Sequence, residues 1–287
     1  MFTKTDSLMP KVSVMMCVHN AEEYIKDCLD SIFCQSFGDF ELVVVDDGST
    51  DSTMEQVKLC SDNRIRIIQK EHDYIGSLNA GLDACTGEYI ARMDADDLMH
   101  PDRLQVQVAL MDSEPSVALC ACWVKPFGEG VLPSPKWDAP FGGYVKHPFV
   151  KFIRGNYIHH PAVMLRRSVL EQYGLRYNRD YPYAEDYKLW TEMAKKNIAF
   201  FVSSQPLLYY QISKGQVSFK HKAEQRKSAL RVQLEVIREL IGRSQCKKAL
   251  EKVLEGMQEA ERNMDAPSLI PPYFFEYFSR ELSLIHI

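Results

Sequence analysis

Residues 40–51 read FELVVVDDGSTD. Leu42–Val45 form an unbroken apolar run that ends on two carboxylates and a glycine. A strand without polar alternation is one buried on both faces, as in a parallel sheet covered by helices. Gly48 permits a tight turn, and Ser49, Thr50 or Asp51 is placed to cap a following helix. KVSVMMCV at 11–18 is a second such run. Asn20 followed by Glu23 resembles a capping box, and Tyr24, Ile25, Cys28, Leu29, Ile32 and Phe33 then recur at helical spacing. RIRIIQ (64–69), a helix around 78–84 and EYIARM (88–93) continue the alternation. The βαβαβαβ order predicts an α/β fold with a largely parallel sheet and helices on both faces. Ligands of such sheets bind beyond the carboxyl ends of the strands. The turns at 17–20, 46–49 and 94–97 should therefore share one edge.

Farther along, Pro101 suits the first position of a helix running to about Ser113, and SVALCACWV (116–124) reads as a strand. Residues 125–148 are rich in Pro, Gly and aromatics; a loop of that length in a compact domain is more often functional than decorative. HPAVMLRRS (160–168) is expected as a strand, AEDYKLWTEMAKKN (184–197) as a helix, and AFFVSS and PLLYYQI as two short strands. From about Lys220 the pattern becomes two amphipathic helical segments, then a tail of prolines and aromatics. The expected division is a catalytic domain over 1–218 and a helical C-terminal extension over 219–287.

Composition excludes several classes. The formal net charge is −5, and no basic run suggests a nucleic-acid partner. MFTKTDSLMP lacks the apolar core of a signal peptide, and no apolar stretch approaches a membrane span. None of the eight cysteines forms a CxxC pair, so reduced thiols and a cytoplasmic location are expected.

Asp94, Asp96 and Asp97 crowd a strand end, although two like charges about 4 Å apart cost roughly 4 kcal/mol at an effective dielectric near 20. In an extended segment residues i and i+2 point the same way, so Asp94 and Asp96 can converge. Oxygen ligands suit Mg²⁺ or Mn²⁺, and a divalent ion bridging to a diphosphate would offset the repulsion. The plainer alternative is a polar turn in which Asp97 caps the next helix. At Asp46 and Asp47, a carboxylate can accept from a base N–H or a ribose hydroxyl, or simply cap a helix. Asp186 falls in register with Leu189, Trp190 and Met193, the face expected to be buried, with Glu185 rotated by about 100°. A carboxylate there is a cap or a general base. Of His159 and His160 only one can face a cleft, where a neutral imidazole could be a metal ligand.

Four motifs, VSVMMCVHNAEEYIKDCLDSIFCQSFGDFELVVVDDGSTD, LNAGLDACTGEYIARMDADDLMHPDRL, HHPAVMLRRS and AEDYKLW, together resemble a family-2 glycosyltransferase of the GT-A fold over about Lys11–Ser218. The resemblance implies that Cys17, His19, Asn20 and Asp47 border a nucleotide and that Asp94 touches the ribose or the metal. It further implies that Asp96 ligates Mn²⁺ or Mg²⁺, that Asp186 is the catalytic base, and that His160 lies near the diphosphate as a candidate ligand. Glu185 and Trp137 are acceptor-side candidates. Cys17 stands where many members carry Pro, His19 where they carry Tyr, and Gln211 where they carry Arg.

The implied activity is inverting transfer from a nucleotide-sugar donor, UDP-linked, to a hydroxyl of a glycan or lipid-linked sugar acceptor in polysaccharide or glycan synthesis. Residues 219–287 could serve self-association or peripheral attachment to the inner membrane face. One rival is an inactive nucleotide-sugar-binding scaffold, which would not need both Asp96 and Asp186. Another is a sugar-phosphate nucleotidyltransferase, which would need a glycine-rich basic loop where CVHNAEEYI stands. A dinucleotide-binding domain would show GxGxxG after a strand, and none is present.

Overall fold

The computed structural model describes residues 9–129, 131, 141–213 and 220–243, with positions 251, 254, 255 and 258. The described residues fall into two compact units. The first draws on Met1–Val145, Ile158–Tyr177 and Ile198–Gln216, the second on Lys146–Tyr157, Asn178–Asn197 and Val217–Ile287. This grouping is discontinuous along the chain, whereas the expected division after residue 218 is sequential.

The first unit opens with β1 (Val12–Val18), α1 (Ile25–Phe33), β2 (Phe40–Asp47), α2 (Thr53–Leu59), β3 (Ile65–Lys70), α3 (Tyr74–Ala84) and β4 (Tyr89–Met93). Strands β3, β2, β1 and β4 lie side by side and all parallel. Every residue of β1 is buried, as the unbroken apolar run requires. Val12, Val14, Met16 and Val18 share a core with Ile25, Cys28, Leu29 and Ile32 of α1. On the opposite face α3 comes so close at Gly81 that a Cβ would stand 2.8 Å from the Met15 sulfur. Each fully buried Val, Leu or Ile contributes about 1.5–3 kcal/mol, so β1 is the anchor of both layers.

Beyond β4 the sheet becomes mixed. β5 (Leu98–Met99), α4 (Arg103–Ser113), β6 (Val117–Gly128), β7 (Gly143–Tyr144), β8 (Val163–Arg166), α6 (Arg167–Gln172) and β9 (Ala199–Ile212) complete the unit. β8 runs antiparallel between β4 and β6, and β6 pairs with β9 in parallel. The two strands expected at 199–212 are one, interrupted only by register shifts opposite Val117–Val124. His160–Ala162 forms a 3₁₀ turn rather than strand, since Pro161 cannot donate to a ladder. The capping box is also absent. Tyr24 precedes α1 without a side-chain cap, because Asn20 is turned to φ +50° and bonded elsewhere.

The second unit contains α5 (Pro148–Lys151), α7 (Glu185–Lys195) and α8 (Lys222–Arg243). α8 buries Leu230, Leu234, Ile237 and Leu240, and Gln233 Nε2 donates to the Ile153 carbonyl at 2.9 Å. Lys188 bridges Glu192 at 2.7 Å and Glu235 at 2.5 Å, tying α7 to α8. No described helix is long and apolar enough to cross a membrane.

Candidate active site

Strand register brings the three predicted turns to one edge of the first unit. Val18 lies opposite Asp46, Asp46 opposite Gln69, and Met16 opposite Met93. The turns after β1 and β2 are laced together: Asn20 Oδ1 accepts from Thr50 N at 2.8 Å, and Ser49 Oγ accepts from Asn20 N at 3.2 Å. Asp46 Oδ1 accepts from Ser49 N at 2.9 Å, closing the turn at Gly48, which takes φ +76° and where an added Cβ would stand 3.1 Å from His72 N. Asp51, one of the residues expected to cap α2, accepts from Thr53 N at 3.0 Å.

Asp47 is almost fully buried. Its Oδ1 accepts from Asp73 N at 2.7 Å and Ser77 Oγ at 2.6 Å. His19 Nδ1 lies 2.9 Å from its main-chain carbonyl, so His19, Asn20 and Asp47 do gather at this edge. Cys17 is the penultimate residue of β1, its thiol pushed up to about 12 by burial, which leaves it neutral.

The acidic turn follows the same edge. Asp94 and Asp96 are half-buried on alternate positions, Ala95 and Asp97 are buried, and the carboxylates of all three acids lie within 4.8 Å of one another. Burial and the charge of Asp94 push Asp96 up to about 6. Burial, then Asp94 and Asp96, push Asp97 up to about 9. Asp97 is no helix cap: its Oδ1 accepts from Gln211 N at 2.9 Å, while its buried Oδ2 makes no hydrogen bond among the described residues. One cation is already present. Arg92, buried in β4, forms an ion pair with Asp94 and donates to Tyr74 Oη at 3.1 Å. Burial opposes the guanidinium charge, but Asp94 and Tyr74 more than offset it. A hard all-oxygen donor set with an orphaned buried carboxylate oxygen fits a divalent ion such as Mg²⁺ or Mn²⁺.

His160 lies outside that acidic group. Its Nε2 is 2.8 Å from Tyr177 Oη, and burial together with Arg92 holds its pKa well below the usual histidine value, so the ring is neutral. Tyr177 is held in turn by Asn79, which donates to its carbonyl and accepts from its N–H, both at 2.9 Å.

Within the second unit, Asp186 lies in the first turn of α7. Asn156 Nδ2 donates to Asp186 Oδ2 at 2.8 Å and Tyr187 N donates to Oδ1 at 2.6 Å. The expected faces are reversed, with Glu185 buried and Asp186 half-buried. α7 buries Glu185, Tyr187, Leu189, Trp190, Thr191, Met193 and Ala194, so it has no single buried stripe from which one acid could be assigned. Trp137, with most of the loop that carries it, lies outside the described residues.

Sequence reasoning missed three residues of this edge. Arg92 was signalled by a charge in an otherwise apolar strand, and Asp97 by its place in the acidic run. His72, two residues after β3, carried no signal of its own.

The profile of glycosyl transferase family 2 matches residues 13–174, from β1 through the acidic turn and His160 to the end of α6. The chain belongs to glycosyl transferase family 2. This glycosyltransferase is 32% identical over 243 residues to an uncharacterized glycosyltransferase of Haemophilus influenzae, covering 79% of this chain and 73% of that one. It is 30% identical over 184 residues to the amylovoran biosynthesis glycosyltransferase AmsE of Erwinia amylovora, covering 62% and 67%. Among solved structures, S. aureus TarS 1–349 with UDP-GlcNAc superposes with a TM-score of 0.65 at 22% identity, over 85% of this chain and 70% of that one. The mannosyltransferase PcManGT of Pyrobaculum calidifontis, with GDP-Man and Mn²⁺, gives 0.59 at 19% identity over 97% and 81%. The fold of this glycosyltransferase is the GT-A fold of those enzymes.

Proposed function

We propose that the protein is an inverting, metal-dependent transferase that moves a sugar from a UDP-linked donor to a hydroxyl of a glycan or lipid-linked acceptor. The observation that carries this reading is the Asp94–Asp96–Asp97 group, crowded and partly unsatisfied at the carboxyl edge of a parallel sheet. Asp96 and Asp97 would hold Mn²⁺ or Mg²⁺, and Asp94, clamped by Arg92, would keep its orientation toward the ribose or the ion. When bound, the ion supplies positive charge to the diphosphate leaving group. His19, Asn20 and Asp47 would border the nucleotide, with Asp47 accepting from the base or ribose. UDP as the nucleotide rests on the likeness to TarS, solved with UDP-GlcNAc, over PcManGT, solved with GDP-Man, which is the less similar of the two. A role in polysaccharide synthesis rests on the resemblance to AmsE.

Asp186 would take the proton from the acceptor hydroxyl as that oxygen attacks the anomeric carbon, inverting it in one displacement. Its carboxylate is oriented by Asn156 Nδ2 and by the Tyr187 amide at the first turn of α7. The test is donor turnover with Mn²⁺ against chelator in the parent protein and in Asp186→Asn. Turnover should require the ion, and the variant should bind donor as the parent does while losing about 10²–10⁴-fold in rate. Equal turnover in chelator, or a variant working at the parent rate, would overturn the assignment.

A further inference from the structure

The first three turns of the sheet bring together a second cluster whose chemistry differs from that of the acidic turn. His19 follows β1, Asp47 ends β2 and His72 follows β3. One nitrogen from each imidazole and an oxygen of the Asp47 carboxylate lie within 4.8 Å of one another. The two rings stand 4.4 Å apart and tilted by 34°. His72 Nδ1 is 2.9 Å from Asp47 Oδ2, and the Nδ1 atoms of His19 and His72 lie 2.9 Å and 3.2 Å from the Asp47 carbonyl.

Asp47 is held in place for a ligand from outside the cluster. It is 1% exposed, its Oδ1 is fixed by Asp73 N and Ser77 Oγ, and its Oδ2 faces the His72 imidazole, with Nδ1 at 2.9 Å. A buried carboxylate with one oxygen held by outer partners and the other turned to an imidazole is a pre-oriented ligand. His72 keeps 65% of its side chain exposed, so an ion can enter from solvent. Two imidazoles and one carboxylate suit Zn²⁺ and similar transition ions, whereas the all-oxygen acidic turn suits Mg²⁺ or Mn²⁺.

We propose that His19, Asp47 and His72 form a transition-metal site that binds Zn²⁺ and thereby competes with the nucleotide. The competition, though not the metal site itself, rests on the proposed function, in which His19 and Asp47 border the donor.

Co²⁺ serves as the visible probe and Zn²⁺ as its competitor, titrated into the full chain with the exposed Cys34 replaced by Ser. One equivalent of Co²⁺ should bind with a ligand-field spectrum of low coordination number and be displaced by Zn²⁺. His72→Ala, and His72→Asn as a smaller perturbation, should weaken binding by at least about 100-fold, since losing a direct ligand costs no less than losing a partner that merely orients one. Asp96→Asn should leave it unchanged. Binding that survives both His72 variants, or that falls only in Asp96→Asn, overturns the site. With Co²⁺ in place, UDP should displace it. Co²⁺ that is lost in the His72 variants but retained under saturating UDP upholds the metal site and overturns the placement of nucleotide at Asp47.

Discussion

Asp94, Asp96 and Asp97 share one arginine, and the accounting of their charge decides what the turn can do. Arg92 neutralises Asp94, leaving two acids whose ionisation burial resists. Because burial and Asp94 push Asp96 up to about 6, the stabilisation by Mn²⁺ should grow as pH rises through that range. Melting temperatures with and without Mn²⁺ between pH 5 and 8 measure this, and a pH-independent shift would place the ion elsewhere. Arg92→Met removes one partner of a pair whose arginine is 2% exposed and whose aspartate keeps 30%. It should cost about 3 kcal/mol in urea unfolding, the lower end for breaking a buried pair. The doublet Asp94/Asp96 was legible because alternation in an extended segment is a local rule. Asp97 was not: its partner is Gln211 N, more than a hundred residues away. His72 stayed hidden for a similar reason, since its place beside Asp47 depends on the parallel register of β2 and β3.

At the level of elements, the parallel half of the sheet could be read because its apolar runs leave only one environment for each strand. The insertion of β8 between β4 and β6 could not, because four residues carry no register information and antiparallel pairing is set by distant partners. The failed capping box shows the same limit, as Asn20 bonds across to Thr50 in the next turn instead of to its own helix. Glu41 illustrates how such cross-strand ties hold neighbouring strands together. Its Oε1 accepts from Ser13 Oγ on β1 at 2.6 Å and from Thr86 N and Oγ1, just before β4, at 2.8 and 2.7 Å. Burial works against its charge, but these donors outweigh burial and hold its pKa below the usual glutamate value. A depressed carboxyl pKa contributes stability that is present above the unfolded value, about 4.3, and is lost as pH falls through the folded one. Glu41→Gln should therefore be less stable at neutral pH and should lose less on going from pH 5 to pH 3 than the parent does. Parallel acid-unfolding curves for the two proteins would contradict this.

For the whole molecule, the family could be read from sequence because the motifs stand in fixed order, and the match over residues 13–174, which spans the first three of the four, bears the family out. The fold followed from the same order. Donor and acceptor identity did not, since they depend on loop shapes that no spacing rule encodes, and the loop holding Trp137 lies outside the described residues. The central claim is that the acidic turn carries a divalent ion through which a nucleotide diphosphate is held. Calorimetric titration of UDP into the parent protein and into Asp96→Asn, each with Mn²⁺ and with chelator, tests it most directly. The account predicts that UDP binds the parent strongly only with Mn²⁺ and that Asp96→Asn abolishes the metal-dependent gain. Equal affinity in all four titrations would contradict it.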